Sequence, residues 1–132
     1  MKYMLDTNIC IYLIRKTPIQ VLKKLQEVKA TEVCISSITL AELEYGIKKS
    51  QHQHQNKIAL SEFVAPLEIE PFELEAAIKF GDVRAQLEKK GTVIGAYDML
   101  IAAHALSLNL ILVTNNTKEF IRIPSLQVEN WV

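Results

Sequence analysis

Three acids stand where a folded chain could make them work together. Asp6 ends the apolar run Tyr3-Met4-Leu5, Glu42 lies near the start of a helical stretch, and Asp98 opens another. In an open α/β sheet, ligands bind beyond the carboxyl ends of the strands, so an acid in the place of Asp6 is delivered to the working edge. A buried, unpaired carboxylate is costly, and the remedies are hydrogen bonds, a cation or protonation. Two carboxylates about 4 Å apart repel by roughly 4 kcal/mol at an effective dielectric of 20, so a cluster of three calls for a counter-charge. Oxygen ligands without cysteine or organised histidine select Mg²⁺, with Mn²⁺ as the alternative, rather than zinc.

Each acid also has a purely structural reading. Thr39-Leu40-Ala41-Glu42 fits a capping box, which on local sequence alone outweighs a functional role for Glu42. Asp98 in a first helical turn is favoured by the helix dipole. The preceding Gly91-Thr92-Val93-Ile94-Gly95-Ala96-Tyr97 loop, with its two glycines, tilts Asp98 towards a site. In Thr114-Asn115-Asn116-Thr117-Lys118-Glu119, Asn116 and Glu119 read as an N-cap and its partner three residues on. The alternative is that Thr114 and Asn116 line the same pocket. His52 and His54 fall in a polar stretch without a third ligand and His104 among alanines, so none is assigned to a metal; Arg84, Lys89 and Lys90 read as a solvated face.

The elements that must position these acids alternate between strand and helix. Strands are expected at 2–5, 33–35, 67–69 and 110–113, with an edge strand towards Trp131. Helices are expected from Asn8 (as N-cap) to Arg15, after Thr17-Pro18 through Val21, Leu22, Leu25 and Val28, from Thr39, over 57–64, from Pro71 to Lys90-Gly91, and over 98–108 up to Asn109. The Gln- and His-rich segment 50–56 reads as mobile. Strand–helix–strand repetition implies parallel strands, right-handed crossovers and helices on both faces. The loops after the first strand and after Val113 would flank a topological switch point.

The chain of 132 residues reads as one domain, 1–132, of ordinary globular composition, with 49% hydrophobic and 23% charged residues. Fifteen basic and fifteen acidic residues cancel, which weakly disfavours nucleic acid unless the acids gather in one pocket and leave the bases on its rim. Cys10 and Cys34 sit among apolar neighbours and read as buried free thiols in a reducing compartment. With neither a targeting signal nor a membrane-spanning run, a cytoplasmic protein is expected.

Four stretches carry a family likeness: Met4-Leu5-Asp6-Thr7-Asn8, Ser36-Ser37-Ile38-Thr39-Leu40-Ala41-Glu42-Leu43, the run from Ile94 to Ala105, and Leu112-Val113-Thr114-Asn115-Asn116. In this order and at this length they resemble the PIN-domain nucleases, and among them the VapC-type toxins of bacterial toxin–antitoxin pairs. The resemblance implies a three-layer α/β/α sandwich with a central, mainly parallel sheet. It maps the family's acids onto Asp6, Glu42 and Asp98, with Thr7, Asn8 and Thr114 as companions. The family's fourth acid falls where this chain has Asn116, so either Asn116 serves as a neutral partner, which the sequence favours, or Glu119 reaches back.

The implied activity is Mg²⁺-dependent hydrolysis of RNA, a structured RNA such as tRNA. Asp6 and Asp98 would be inner ligands, Glu42 would hold a metal water or a second ion, and Asn116 and Thr114 would orient water or phosphate. The implied partners are a VapB-type antitoxin occupying the active-site groove and a second copy in a homodimer, with DNA met only through the antitoxin. A non-catalytic binding module on the same fold is the main alternative. A receiver domain is disfavoured because Val33–Ser37 and Leu67–Pro71 offer no phospho-accepting Asp.

Overall fold

The computed structural model describes all residues, 1–132. Its centre is the strand that ends in Asp6. Strand β1 (Tyr3–Leu5) lies between β2 (Val33–Ser36) and β4 (Ile111–Val113), with β3 (Glu68–Glu70) beyond β2 and β5 (Val128–Glu129) beyond β4. The order is therefore β3-β2-β1-β4-β5, and every pairing is parallel. The chain first moves outward from β1 to β3 and then returns to the other side of β1. This places the expected switch point between β1 and β4.

Strands buried on both faces need apolar residues at every position, and these are continuous rather than alternating. Met4, Cys34 and Leu112 face one layer, formed by α5 (Leu74–Lys89) and α6 (Ala96–Ser107). Tyr3, Leu5, Val33, Ile35 and Val113 face the other. That layer holds α1 (Thr7–Arg15), α2 (Ile19–Glu27), α3 (Ser37–Lys48) and α4 (Gln53–Val64). Met4, Leu5, Ile35 and Leu112 are completely buried, each contributing about 1.5–3 kcal/mol of apolar transfer. A last short helix, α7 (Thr117–Phe120), anchors through buried Phe120, and Trp131 closes the far edge with its ring edge-on to Tyr3 at 5.4 Å. Both cysteines are buried free thiols whose ionisation is pushed up, chiefly by burial.

Several local expectations are corrected. The cap of α1 is Asp6, not Asn8: its Oδ1 accepts the Ile9 N–H at 2.9 Å. Helix α3 begins two residues before Thr39. Its cap is Ser36, which accepts the Ile38 N–H at 3.0 Å, so Glu42 is the sixth helical residue and the Thr39–Glu42 capping box does not form. Segment 50–56 is ordered. Gln53 starts α4, its amide donating to the Lys48 carbonyl, while the Asn56 amide donates to the Ser50 hydroxyl. Helix α5 starts at Leu74 rather than Pro71 and α6 at Ala96 rather than Asp98. Asn116 precedes α7 without a side-chain capping bond.

Candidate active site

The site grows from the carboxyl edge of the sheet. Leu5 is in register with Ile35 on one side and Val113 on the other. One residue further, the row changes from apolar to polar, as Ser36, Asp6 and Thr114. The Asp6 N–H still donates to the Val113 carbonyl at 3.0 Å, and the Thr114 N–H to that of Glu129 at 3.0 Å. The alternation of strand side chains turns these three towards the layer of α6.

Asp6 is 3% exposed and sits in a bonded cradle. Beyond Ile9, its Oδ2 accepts a hydrogen bond from the Thr114 hydroxyl, which in turn accepts the Asn116 N–H at 2.9 Å. Burial raises the Asp6 carboxyl above its ordinary range, against the lowering effect of these bonds, and the Glu42 charge raises it further. Thr114 is fully buried and committed to Asp6, so its influence on a ligand passes through that acid.

Glu42 is half-buried and joined to the first motif: the Thr7 hydroxyl, 3.3 Å from that of Thr39, donates to its Oε1 at 2.6 Å. Asp98 is the third residue of α6, also half-buried. Its carboxyl is pushed up to about 6, first by burial, then by the charges of Asp6, Glu119 and Glu42 in that order. The acids brought together electrostatically are thus Asp6, Glu42, Asp98 and Glu119. The contribution of Glu119 exceeds that of Glu42, a relation that the family spacing alone did not favour. Asn116 is half-buried beside them, and Asn8 is exposed. Of the two loop glycines, only Gly91 (φ 66°) needs its freedom; a Cβ on Gly95 would meet Asp98 Oδ2 at an ordinary 3.7 Å.

No base neutralises this cluster. The three ion pairs of the molecule, Lys24–Glu27, Lys57–Glu44 and Arg84–Glu88, all lie elsewhere. Nor do any three His, Cys, Asp or Glu side chains form a ready-made cage. A spread set of carboxylates without a basic partner suits an ion that keeps several waters and takes only one or two carboxylates directly, as Mg²⁺ does. His52 and His54 are exposed, His54 in a separate hollow with Glu44, Lys48 and Lys57, and His104 is buried, so the donor set is all oxygen. Beside Glu42, a groove of about 790 Å³ runs between α1, α3 and α4, with Ile11, Ile14 and Leu60 in its wall, Arg15 and Lys49 on its rim, and Tyr97 beside Asp98 at its edge.

The comparisons bear on the family and the fold. The PIN domain family matches residues 3–126. The chain is 49% identical over 132 residues to Ribonuclease VapC2 of Rickettsia felis, covering 99% of this chain and 98% of that one. It is 44% identical to the tRNA(fMet)-specific endonuclease VapC of Salmonella typhimurium, over 99% and 98% of the two chains. Among solved structures, VapBC2 from Rickettsia felis bound to a DNA fragment from its promoter superposes with a TM-score of 0.94 at 48% identity, covering 100% of both chains. DNA-bound VapBC from Salmonella typhimurium superposes with a TM-score of 0.95 at 43% identity, covering 100% and 99%. With the acids at the carboxyl edge of an all-parallel sheet and these relatives along its whole length, the chain belongs to the PIN-domain family and, within it, to the VapC group.

Proposed function

We propose that this chain is a Mg²⁺-dependent endoribonuclease toxin, a single PIN domain over residues 1–132, held in check by a cognate VapB-type antitoxin. The observation that carries the reading is the set of Asp6, Glu42, Asp98 and Glu119 without a basic partner around the start of α6, where burial first and then the neighbouring charges push Asp98 up to about 6. Asp6 and Asp98 would hold the ion and Glu42 and Glu119 would bind its waters, while Thr7 and Thr114 fix the orientation of Glu42 and Asp6 and Asn116 and Asn8 would border the phosphate path. Bound there, Mg²⁺ supplies a Lewis acid that lowers the pKa of water and offsets charge on the phosphoryl oxygens. Structured RNA, tRNA in particular, is the substrate class favoured by likeness to the tRNA(fMet)-specific relative.

The antitoxin takes the groove beside Glu42. An apolar segment fits against Ile11, Ile14 and Leu60, and acidic residues on it would meet Arg15 and Lys49. DNA is reached through that partner, in keeping with the DNA-bound VapBC complexes. The homodimer has an apolar face available: Leu74 and Ile78, one turn apart on α5, are 71% and 53% exposed. No helix is long and apolar enough to cross a membrane.

The test is cleavage of a total tRNA pool by purified protein with Mg²⁺, with EDTA, and with Asp98→Asn. Discrete cuts only in the first condition support the reading; equal cutting by Asp98→Asn removes it.

A further inference from the structure

Behind the acids lies a polar contact that the proposed reaction does not use. His104 is 1% exposed and Ser36 is fully buried, and Nδ1 of the one lies 2.8 Å from Oγ of the other. A histidine in an apolar layer costs stability unless it is hydrogen-bonded, and a Leu would fill the same space without that demand. We propose that His104 is a positioning residue for the acid cluster, its bond to Ser36 locking the helix that carries Asp98 to the turn that launches the helix of Glu42. This rests on the metal-nuclease reading above.

The geometry is nearly symmetrical. Glu42 follows Ser36 by six residues and Asp98 precedes His104 by six, about 9 Å of helix in each case at 1.5 Å per residue. Each acid is thus on a short rigid rod whose other end meets at the Ser36–His104 bond. Ser36 also caps α3 by accepting the Ile38 N–H at 3.0 Å, so one hydroxyl joins the start of α3 to the ring nitrogen. The ring is held in place as well. Phe72 packs edge-on to it at 5.3 Å, and the Phe72 N–H donates to the Ser37 hydroxyl at 3.0 Å. Three segments, the β2–α3 junction, the β3–α5 connection and α6, are therefore pinned at Ser36 and Ser37, the first of which stands in the same row as Asp6. A slip of α6 against α3 would change the Asp98–Glu42 spacing directly.

The experiment compares wild type, His104→Leu, His104→Asn, Ser36→Ala and the double variant His104→Leu/Ser36→Ala. Mn²⁺ binding to metal-free protein is read by calorimetry and RNA cleavage by steady-state kinetics, at a temperature where melting shows each protein folded. The expected result for His104→Leu is Mn²⁺ affinity and kcat lower on the order of tenfold with KM unchanged. His104→Asn, which keeps a polar atom near the position of Nδ1, recovers most of both, and the double variant is no worse than the poorer single one. If His104→Leu does not fold, Ser36→Ala and His104→Asn decide by the same readouts. Wild-type Mn²⁺ affinity and kcat in folded His104→Leu or Ser36→Ala overturns the proposal. Wild-type Mn²⁺ affinity in an Asp98→Asn control would instead overturn the metal site itself.

Discussion

The Thr7 hydroxyl donates to the Glu42 carboxylate at 2.6 Å across 35 residues of sequence, tying the first turn of α1 to the middle of α3. With the 3.3 Å contact between the Thr7 and Thr39 hydroxyls it joins the first and second motifs, and it fixes one Glu42 oxygen while leaving the other for water or an ion. Thr7→Val keeps the shape and removes the donor. Its expected effect is a loss of about 1 kcal/mol or less in stability, typical of a hydrogen bond part-open to solvent. RNA cleavage should drop about tenfold, a shift of about 1.4 kcal/mol in the barrier. Melting curves beside cleavage rates separate the two, and a full-rate Thr7→Val would show that Glu42 needs no such restraint.

Asp98→Asn should trade activity for robustness. Removing one charge from a cluster without a basic partner relieves repulsion, so the metal-free variant is expected to melt higher than wild type at pH 7.5. Cleavage should fall by two orders of magnitude or more. A lower melting temperature would mean that Asp98 is held by favourable contacts rather than strained by its neighbours.

The direction of the Asp98 shift fixes a pH profile. Its folded value is about 6 against an ordinary 3.8, so the folded protein binds this proton more tightly than the unfolded chain. The stabilisation is complete below about 4 and is lost as pH rises through about 6. Metal-free protein should therefore lose stability across that interval relative to Asp98→Asn, whereas RNA cleavage with Mg²⁺ should rise as Asp98 ionises. A wild-type minus variant difference that is flat between pH 4 and 7 would contradict the shift.

Mg²⁺ should raise the melting temperature of the wild type at pH 7.5, and EDTA should reverse it. At 100 times the dissociation constant the gain is about 2.7 kcal/mol. The same titration on Asp6→Asn or Asp98→Asn should give little. Stabilisation of equal size in all three proteins would place the ion elsewhere.

Glu119→Gln and Asn116→Ala distinguish two ways of filling the fourth position. Because Glu119 raises Asp98 more than Glu42 does, Glu119→Gln is expected to weaken Mg²⁺ binding severalfold and to lower the Asp98 pKa. Asn116→Ala, which removes no charge and no side-chain capping bond, is expected to cost much less. The reverse ranking, read by calorimetry, would return the role to Asn116.

The layered fold was legible because both its signals are short-range: apolar runs in the central strands β1, β2 and β4, and helices starting at residues such as Pro18 and ending at residues such as Gly91 and Asn109. What sequence spacing missed is what contacts across the chain decide. Asn8 looked like the cap of α1, yet Asp6 caps it, because the peptide after the strand turns at once into the helix. Segment 50–56 carries polar residues throughout, but Gln53 and Asn56 find partners on the end of α3 and make a helical turn. His104 among alanines has no local feature that announces Ser36, 68 residues away. Glu119 reads as a cap partner, and only the fold brings its charge near enough to raise Asp98.

The order in which the polypeptide is synthesised acquires meaning from the central place of β1. That strand emerges first but gains its second neighbour only with residues 111–113, and the last carboxylate arrives at 119. The residues that border the candidate site therefore come together only once nearly the whole polypeptide has left the ribosome.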